Sequence, residues 1–287
     1  MAPAGAAPRA NPTLLRRRLA AELRRLRDAA GLGIDEVAAH LCCSTSKVSR
    51  VETGRVAAMQ RDVKDMLDLY RVEGERREAL LELARQARRK EDWWDAYGDF
   101  PNVRTYTAYE RAANSIRIWQ SMLVPGLLQV ERYARRTIAA SLPDLPEERL
   151  DRFLRLRLDR QALLERPDGP RVEVVLDEAA LRRLTGWPDV LPEQVERLLE
   201  AAARPNLSLQ VLPFRAGPHG GLAESFRMLG FPDPSDPDLV HLEHPTGDVY
   251  LTSPGQVARY RELFERARAL ALPPPETARF LAELRRR

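Results

Sequence analysis

The feature that most restricts the fold is the spacing of apolar residues between Thr13 and Lys90, which keeps a helical period almost without interruption. Leu15, Leu19, Leu23, Leu26 and Ala30 lie four, four, three and four positions apart, one stripe along a first helix that Gly31 ends. Ile34, Val37, Ala38 and Leu41 make the i, i+3, i+4, i+7 pattern of a short second helix. Ser44 is placed to cap a third helix with Val48 and Val51 on its inner face and Gly54 just past its end. Val63, Met66, Leu67 and Tyr70 form a fourth stripe, and Leu80, Leu83, Ala84 and Ala87 a fifth. This predicts a compact α-helical domain over residues 13–90. The opening MAPAGAAPRANP, residues 1–12, has no long apolar stretch and reads as a disordered tail rather than a signal peptide.

Charge separates this head from the rest of the chain. Residues 1–90 carry 19 Lys/Arg against 12 Asp/Glu, a net of +7, whereas the remainder carries 27 against 30. A basic head on a mildly acidic body expects a polyanion at the head only. Arg supplies 43 of the 46 basic residues, a compositional bias that weakens any single Arg as a sign of phosphate contact. No apolar run approaches the ~20 residues of a membrane helix. Two adjacent cysteines, Cys42 and Cys43, cannot form a secreted disulfide framework. A cytoplasmic protein without membrane contact is expected.

The second and third helices, joined by a short turn, have the dimensions of a helix-turn-helix. Thr45, Ser46, Lys47, Ser49 and Arg50 on the outward side of the third helix are small and hydrogen-bonding or basic, a surface able to enter a major groove and reach base edges. The segment LRRLRDAAGLGIDEVAAHLCCSTSKVSRVETGR resembles the helix-turn-helix of the phage-repressor (XRE/Cro) class. That resemblance implies base reading by Thr45, Ser46 and Arg50, with Arg50 placed for a bidentate contact to guanine. It implies phosphate contacts from Lys47, Ser49 and Arg55, and a structural pair of Arg27 with Glu52 tying the first helix to the end of the third. Ile34 stands where the class often has a backbone-contacting Gln, so that contact is missing and Ile34 joins the apolar stripe.

Cys42 occupies a turn position where the class often has Gly, and Cys43 precedes the capping Ser44. A thiol at a helix N-terminus can ionise more easily and act as a redox switch; the plainer expectation is two small thiols packing a turn. Metal binding is not expected, since no other Cys or nearby His pair completes a site.

Residues 91–103 (EDWWDAYGDFPNV) break the helical pattern and read as a connector whose Trp93, Trp94 and Tyr97 pack against a neighbouring domain. The body, 104–287, reads as α+β: a small, largely antiparallel sheet covered by helices, in a chain that is helix-rich overall. Helices are expected over 109–120, 130–140, 146–166, 178–184, 193–203, 254–271 and 275–286. Strands are expected at 172–177, 208–213, 225–231, 239–244 and 248–252, the last two joined by Pro245-Thr246-Gly247 as a hairpin. Leu123, Val124, Leu127, Leu128 and Val130 around the VPGLLQ turn are the expected apolar patch for a second copy.

TAYERAANSIRIWQSMLVPGLLQVERYARR, RLDRQALL, LDEAALRRLTG, PNLSLQVLPFRAGPHG and VHLEHPTGDVYLTSP follow in that order. Together they are similar to the DUF5753 domain found behind such helix-turn-helix domains in actinobacterial, antitoxin-like regulators. The resemblance implies a transcriptional regulator, often encoded beside a small acidic partner protein, and leaves open what the body senses. The expected function is sequence-specific binding of double-stranded DNA as a homodimer at a pseudo-palindromic operator. Control would come from a small-molecule effector or a small partner protein. The alternative is an antitoxin-type protein that neutralises such a partner and autoregulates.

Catalysis is not expected, and no cofactor is implied. His241 and Glu243 share one face of their strand while His244 points to the other, too few same-face ligands for zinc. His219 in GPHGG reads as a solvated loop residue, and Asp177 as a helix cap. No P-loop, nucleophile elbow, HExxH or GxGxxG motif occurs.

Overall fold

The computed structural model describes residues 11–89, 100–244 and 246–285. These divide into two compact units between residues 112 and 113. The tail through residue 10, Trp93, Trp94 and Tyr97 of the connector, and Pro245 of the hairpin turn lie outside the described residues.

In the first unit the apolar stripes become α1 (Pro12–Ala29), α2 (Ile34–His40), α3 (Thr45–Glu52), α4 (Gln60–Leu69) and α5 (Gly74–Ala87). Asn11 starts α1 by accepting from the Thr13 and Leu14 amides at 2.9 and 3.3 Å, with Pro12 in the first turn, where its missing N–H costs nothing. The stripes meet in one core that buries Leu19, Leu23, Val37, Val48, Val51, Val63, Leu67 and Leu80. Each such side chain contributes ~1.5–3 kcal/mol by leaving water. A sixth helix, α6 (Pro101–Ala112), packs on α1 in the same unit. Asn11 Nδ2 donates to the Ala108 carbonyl at 3.0 Å, and Arg17 lies over the Tyr109 ring at 5.8 Å. By contacts, the first compact unit runs to Ala112.

The second unit carries a six-stranded sheet in the order β3-β2-β1-β4-β5-β6, formed by β1 (Ser115–Gln120), β2 (Arg171–Asp177), β3 (Leu207–Leu212), β4 (Phe226–Gly230), β5 (Leu239–His244) and β6 (Gly247–Leu251). The five expected strands are present, and the α+β architecture holds. Two corrections follow. The helix expected over 109–120 ends at Ala112 and gives way to the strand SIRIWQ, whose Ile116 and Ile118 are buried at strand spacing. The sheet is mixed rather than largely antiparallel: β1, β2 and β3 are mutually parallel, and β1, β4, β5 and β6 are antiparallel neighbours. The reason lies in the connections. α7 (Glu131–Ser141) and α8 (Glu147–Asp159) join β1 to β2, while α9 (Glu178–Arg182) and α10 (Leu191–Ala202) join β2 to β3. Helical crossovers of this length return the chain in the same direction.

α11 (Pro254–Leu270) covers one sheet face, seating Val257, Phe264 and Ala267 on Trp119, Val175, Phe226, Met228 and Val240. α12 (Pro274–Arg285) packs on α10 and β3. A third correction concerns the VPGLLQ turn: Val124, Leu127 and Leu128 are buried in the unit's own interior, and Leu123 is exposed. The turn therefore offers no apolar patch of the expected size to a second copy.

Candidate nucleic-acid interface

Ser44 opens α3 by accepting the Lys47 amide at 3.3 Å, and Val48 and Val51 anchor the helix in the core. With those two valines inward, Thr45, Ser46, Ser49 and Arg50 are all exposed along the opposite side. Arg50 Nε donates to the Ser46 carbonyl at 3.3 Å, and the residue is exposed. Arg55, just beyond the helix, is exposed as well. Lys47 differs from its neighbours. Its Nζ sits 2.5 Å from Asp62 Oδ2 on α4, so a phosphate would have to compete with a carboxylate for it. Asp62 was not legible as a partner because it lies on another helix.

Arg27 and Glu52 meet across 25 residues of chain. Arg27 Nε donates to Glu52 Oε1 at 2.8 Å and Nη2 to Oε2 at 3.0 Å, a two-pronged fork. Arg27 Nη1 also donates to the Leu32 carbonyl at 2.8 Å, beyond the C-terminus of α1. The side chains are only 10% and 3% exposed, and the bond to Glu52 raises the Arg27 pKa further. The fork ties α1 to the last turn of α3 and so sets the orientation of the exposed face.

The turn between α2 and α3 contains a strained residue. Cys42 has φ +49°, the left-handed conformation that side chains disfavour. This explains physically why glycine suits the position. Cys42 is exposed, whereas Cys43 packs against the helical core. Ile34 packs against that core too, and Glu36 caps α2 by accepting the Gly33 amide at 2.7 Å. Replacing Cys42 by Gly should stabilise the head by a few tenths to ~1 kcal/mol. A denaturation midpoint unchanged or lowered in Cys42→Gly would show that the thiol contributes packing.

In the body, His241 and Glu243 do share a face, with Arg227, Asp248 and Tyr250, as strand register requires. His241 is buried: Arg227 Nη1 lies 3.3 Å from its Nδ1, and Asp248 Oδ1 3.3 Å from its Nε2. Burial lowers its pKa and favours the neutral ring. His244 is exposed. Among the described residues no three His, Cys, Asp or Glu side chains are arranged to hold a metal ion.

His219 departs from the expectation of a solvated loop residue: its side chain is 4% exposed and stands edge-on to Trp119 at 5.1 Å. Its Nδ1 accepts the Gly221 amide at 3.2 Å, which puts the ring proton on Nε2, 3.4 Å from Asp177 Oδ2. Asp177 Oδ1 caps α9 by accepting the Ala179 amide at 2.7 Å. His219, Asp177 and Ala179, with Ser121, Leu212, Phe214 and Leu222, line a cleft of about 190 Å³ at the carboxyl ends of the parallel strands, the usual place for ligands in such sheets. Ser121 Oγ pairs with Ser225 Oγ at 3.0 Å. Met122, Phe214 and Leu222, which also line the cleft, are 49–58% exposed.

No helix among the described residues is long and apolar enough to cross a membrane. Residues 18–80 match the family model described as a helix-turn-helix domain, and residues 103–283 match the domain of unknown function DUF5753. The second match spans more than half of the chain, which therefore belongs to the DUF5753 family. No curated protein and no solved structure matches it.

Proposed function

We propose that this member of the DUF5753 family is a transcriptional regulator, not an enzyme, that grips DNA with α3 and is controlled through its α+β body. The observation that carries the reading is the exposed Thr45, Ser46, Ser49 and Arg50 face, set outward by buried Val48 and Val51 and oriented by the Arg27–Glu52 fork. In this reading Thr45, Ser46 and Arg50 reach base edges, and Ser49, Arg55 and a Lys47 released from Asp62 hold phosphates. One helix-turn-helix reads a half-site, so the working form is a homodimer with heads about 34 Å apart on one face of the duplex. Selection of binding sequences from random duplex DNA by the full chain should enrich a pseudo-palindrome with half-sites about one helical turn apart. Enrichment of no motif would remove sequence reading, and enrichment of a lone half-site would remove the dimer.

A second reading gives the body a small protein partner, with DNA binding as autoregulation. The exposed apolar side chains Met122, Phe214 and Leu222 favour it, because they line one cleft. A small-molecule effector would use the same carboxyl-end region of the sheet.

A further inference from the structure

Strand register gathers the floor of the cleft at the carboxyl ends of β1, β2 and β3. Trp119 lies beside Val175, and Asp177 beside Leu212. Side chains alternate along a strand, so Trp119, Val175, Asp177 and Leu212 all point to the sheet face that α11 packs. Among the described residues no Lys or Arg lines the cleft, and Asp177 is its one acidic residue. Its side chain is only 8% exposed, with the Ala179 amide at 2.7 Å and His219 Nε2 at 3.4 Å as partners. His219 brings no charge, because its Nδ1 accepts from Gly221 and only Nε2 carries a proton. A largely enclosed carboxylate without a counter-cation is costly.

The cations nearby in sequence are engaged elsewhere. Arg182 pairs with Glu178 at 2.8 Å, and the exposed Arg183 stands 3.7 Å from Met122 Sδ, outside the lining, where water and salt screen it. The walls are fixed without a ligand. Glu178 Oε2 accepts the Phe214 amide at 2.9 Å, and Trp119 Nε1 donates to the Gly221 carbonyl at 2.8 Å. The Ser121 amide donates to Ser225 Oγ at 3.0 Å. The loop carrying His219 and Leu222 approaches β1 so closely that a Cβ on Gly221 would lie 2.7 Å from the Trp119 ring.

We propose that the cleft binds a small organic cation, an ammonium group on an apolar body such as a phenyl ring. The ammonium supplies the charge that Asp177 lacks, with Ser121 Oγ in the same lining as a second acceptor. The apolar body covers Met122, Phe214 and Leu222, whose exposure in one cleft otherwise has no counterpart. A cleft of about 190 Å³ takes a ligand smaller than those of ordinary drug-sized pockets. Because the walls are already pinned, little ordering remains for binding to accomplish. The inference rests on the reading of a body controlled by a small molecule and names the class of that molecule.

The test titrates the full chain with three compounds that share a phenyl body, namely 2-phenylethylamine, 2-phenylethanol and phenylacetate, and follows binding by calorimetry. The amine should bind with a Kd of about 1 mM or tighter, and the alcohol and the acid at least about tenfold more weakly. Asp177→Asn, which keeps a good cap for α9, should bring the amine down to the level of the alcohol. Phe214→Ala, at an exposed side chain, should weaken the amine several-fold and gives a second reading if Asp177→Asn folds poorly. Phenylacetate binding as tightly as the amine overturns the assignment, as does no binding of the amine up to about 10 mM. So does an amine affinity unchanged in both variants, which would place the cation elsewhere. No DNA is present, so a failure here leaves recognition by α3 untouched. Control is tested separately, as a change in operator affinity when the amine is bound.

Discussion

Replacing Arg27 by Ala should destabilise the helical head by about 3–5 kcal/mol, because it strands Glu52 with a 3% exposed carboxylate and no counter-charge. The loss has two further parts. The Leu32 carbonyl forfeits a 2.8 Å bond that steadies the chain between α1 and α2, and α3 loses its tie to α1. Denaturant unfolding followed by helical signal measures it. Arg25→Ala, which removes an exposed pair with Glu22 on the same helix, should leave the midpoint where it was. Arg27→Met combined with Glu52→Leu should recover much of the stability, since two apolar side chains replace a pair that had to be desolvated. A loss for Arg27→Ala no larger than that for Arg25→Ala would mean that the fork does not position α3.

The helical head was legible because each helix advertises itself locally. Leu19, Leu23 and Leu26 face one core, and Gly31 and Gly54 stand at left-handed positions just beyond α1 and α3. Cys42 was legible as an oddity, a side chain where glycine is comfortable, and φ +49° gives the cause. The body was less transparent where long-range pairing decides. SIRIWQ follows a helical segment and reads as its continuation, yet Ile116 and Ile118 two positions apart point to one strand face. The parallel order of β1, β2 and β3 depends on which strands α7–α8 and α9–α10 return to, which no local pattern states. Val124, Leu127 and Leu128 looked free for association because nothing in the sequence reveals what covers them. The pairing of Lys47 with Asp62 and the burial of His219 beside Trp119 are likewise contacts between distant segments.

Arg50→Ala carries the largest expected effect on function. The guanidinium is exposed one turn along α3 from Thr45 and Ser46 and is held, among the described residues, by the Ser46 carbonyl at 3.3 Å. A bidentate contact to guanine O6 and N7 is worth about 1–3 kcal/mol of discrimination, so its loss should cost roughly tenfold or more on the operator and relax one base pair. Arg55 is exposed beyond the helix end, where a phosphate contact would be blind to sequence. Arg55→Ala should weaken operator and random DNA about equally and flatten the dependence of binding on salt.

The most direct measurement is therefore the ratio of operator to random-DNA affinity at fixed salt for the wild type, Arg50→Ala and Arg55→Ala. The account predicts a ratio that collapses by about tenfold or more in Arg50→Ala and stays near the wild-type value in Arg55→Ala. An equal loss on both DNAs for Arg50→Ala would contradict base reading by α3.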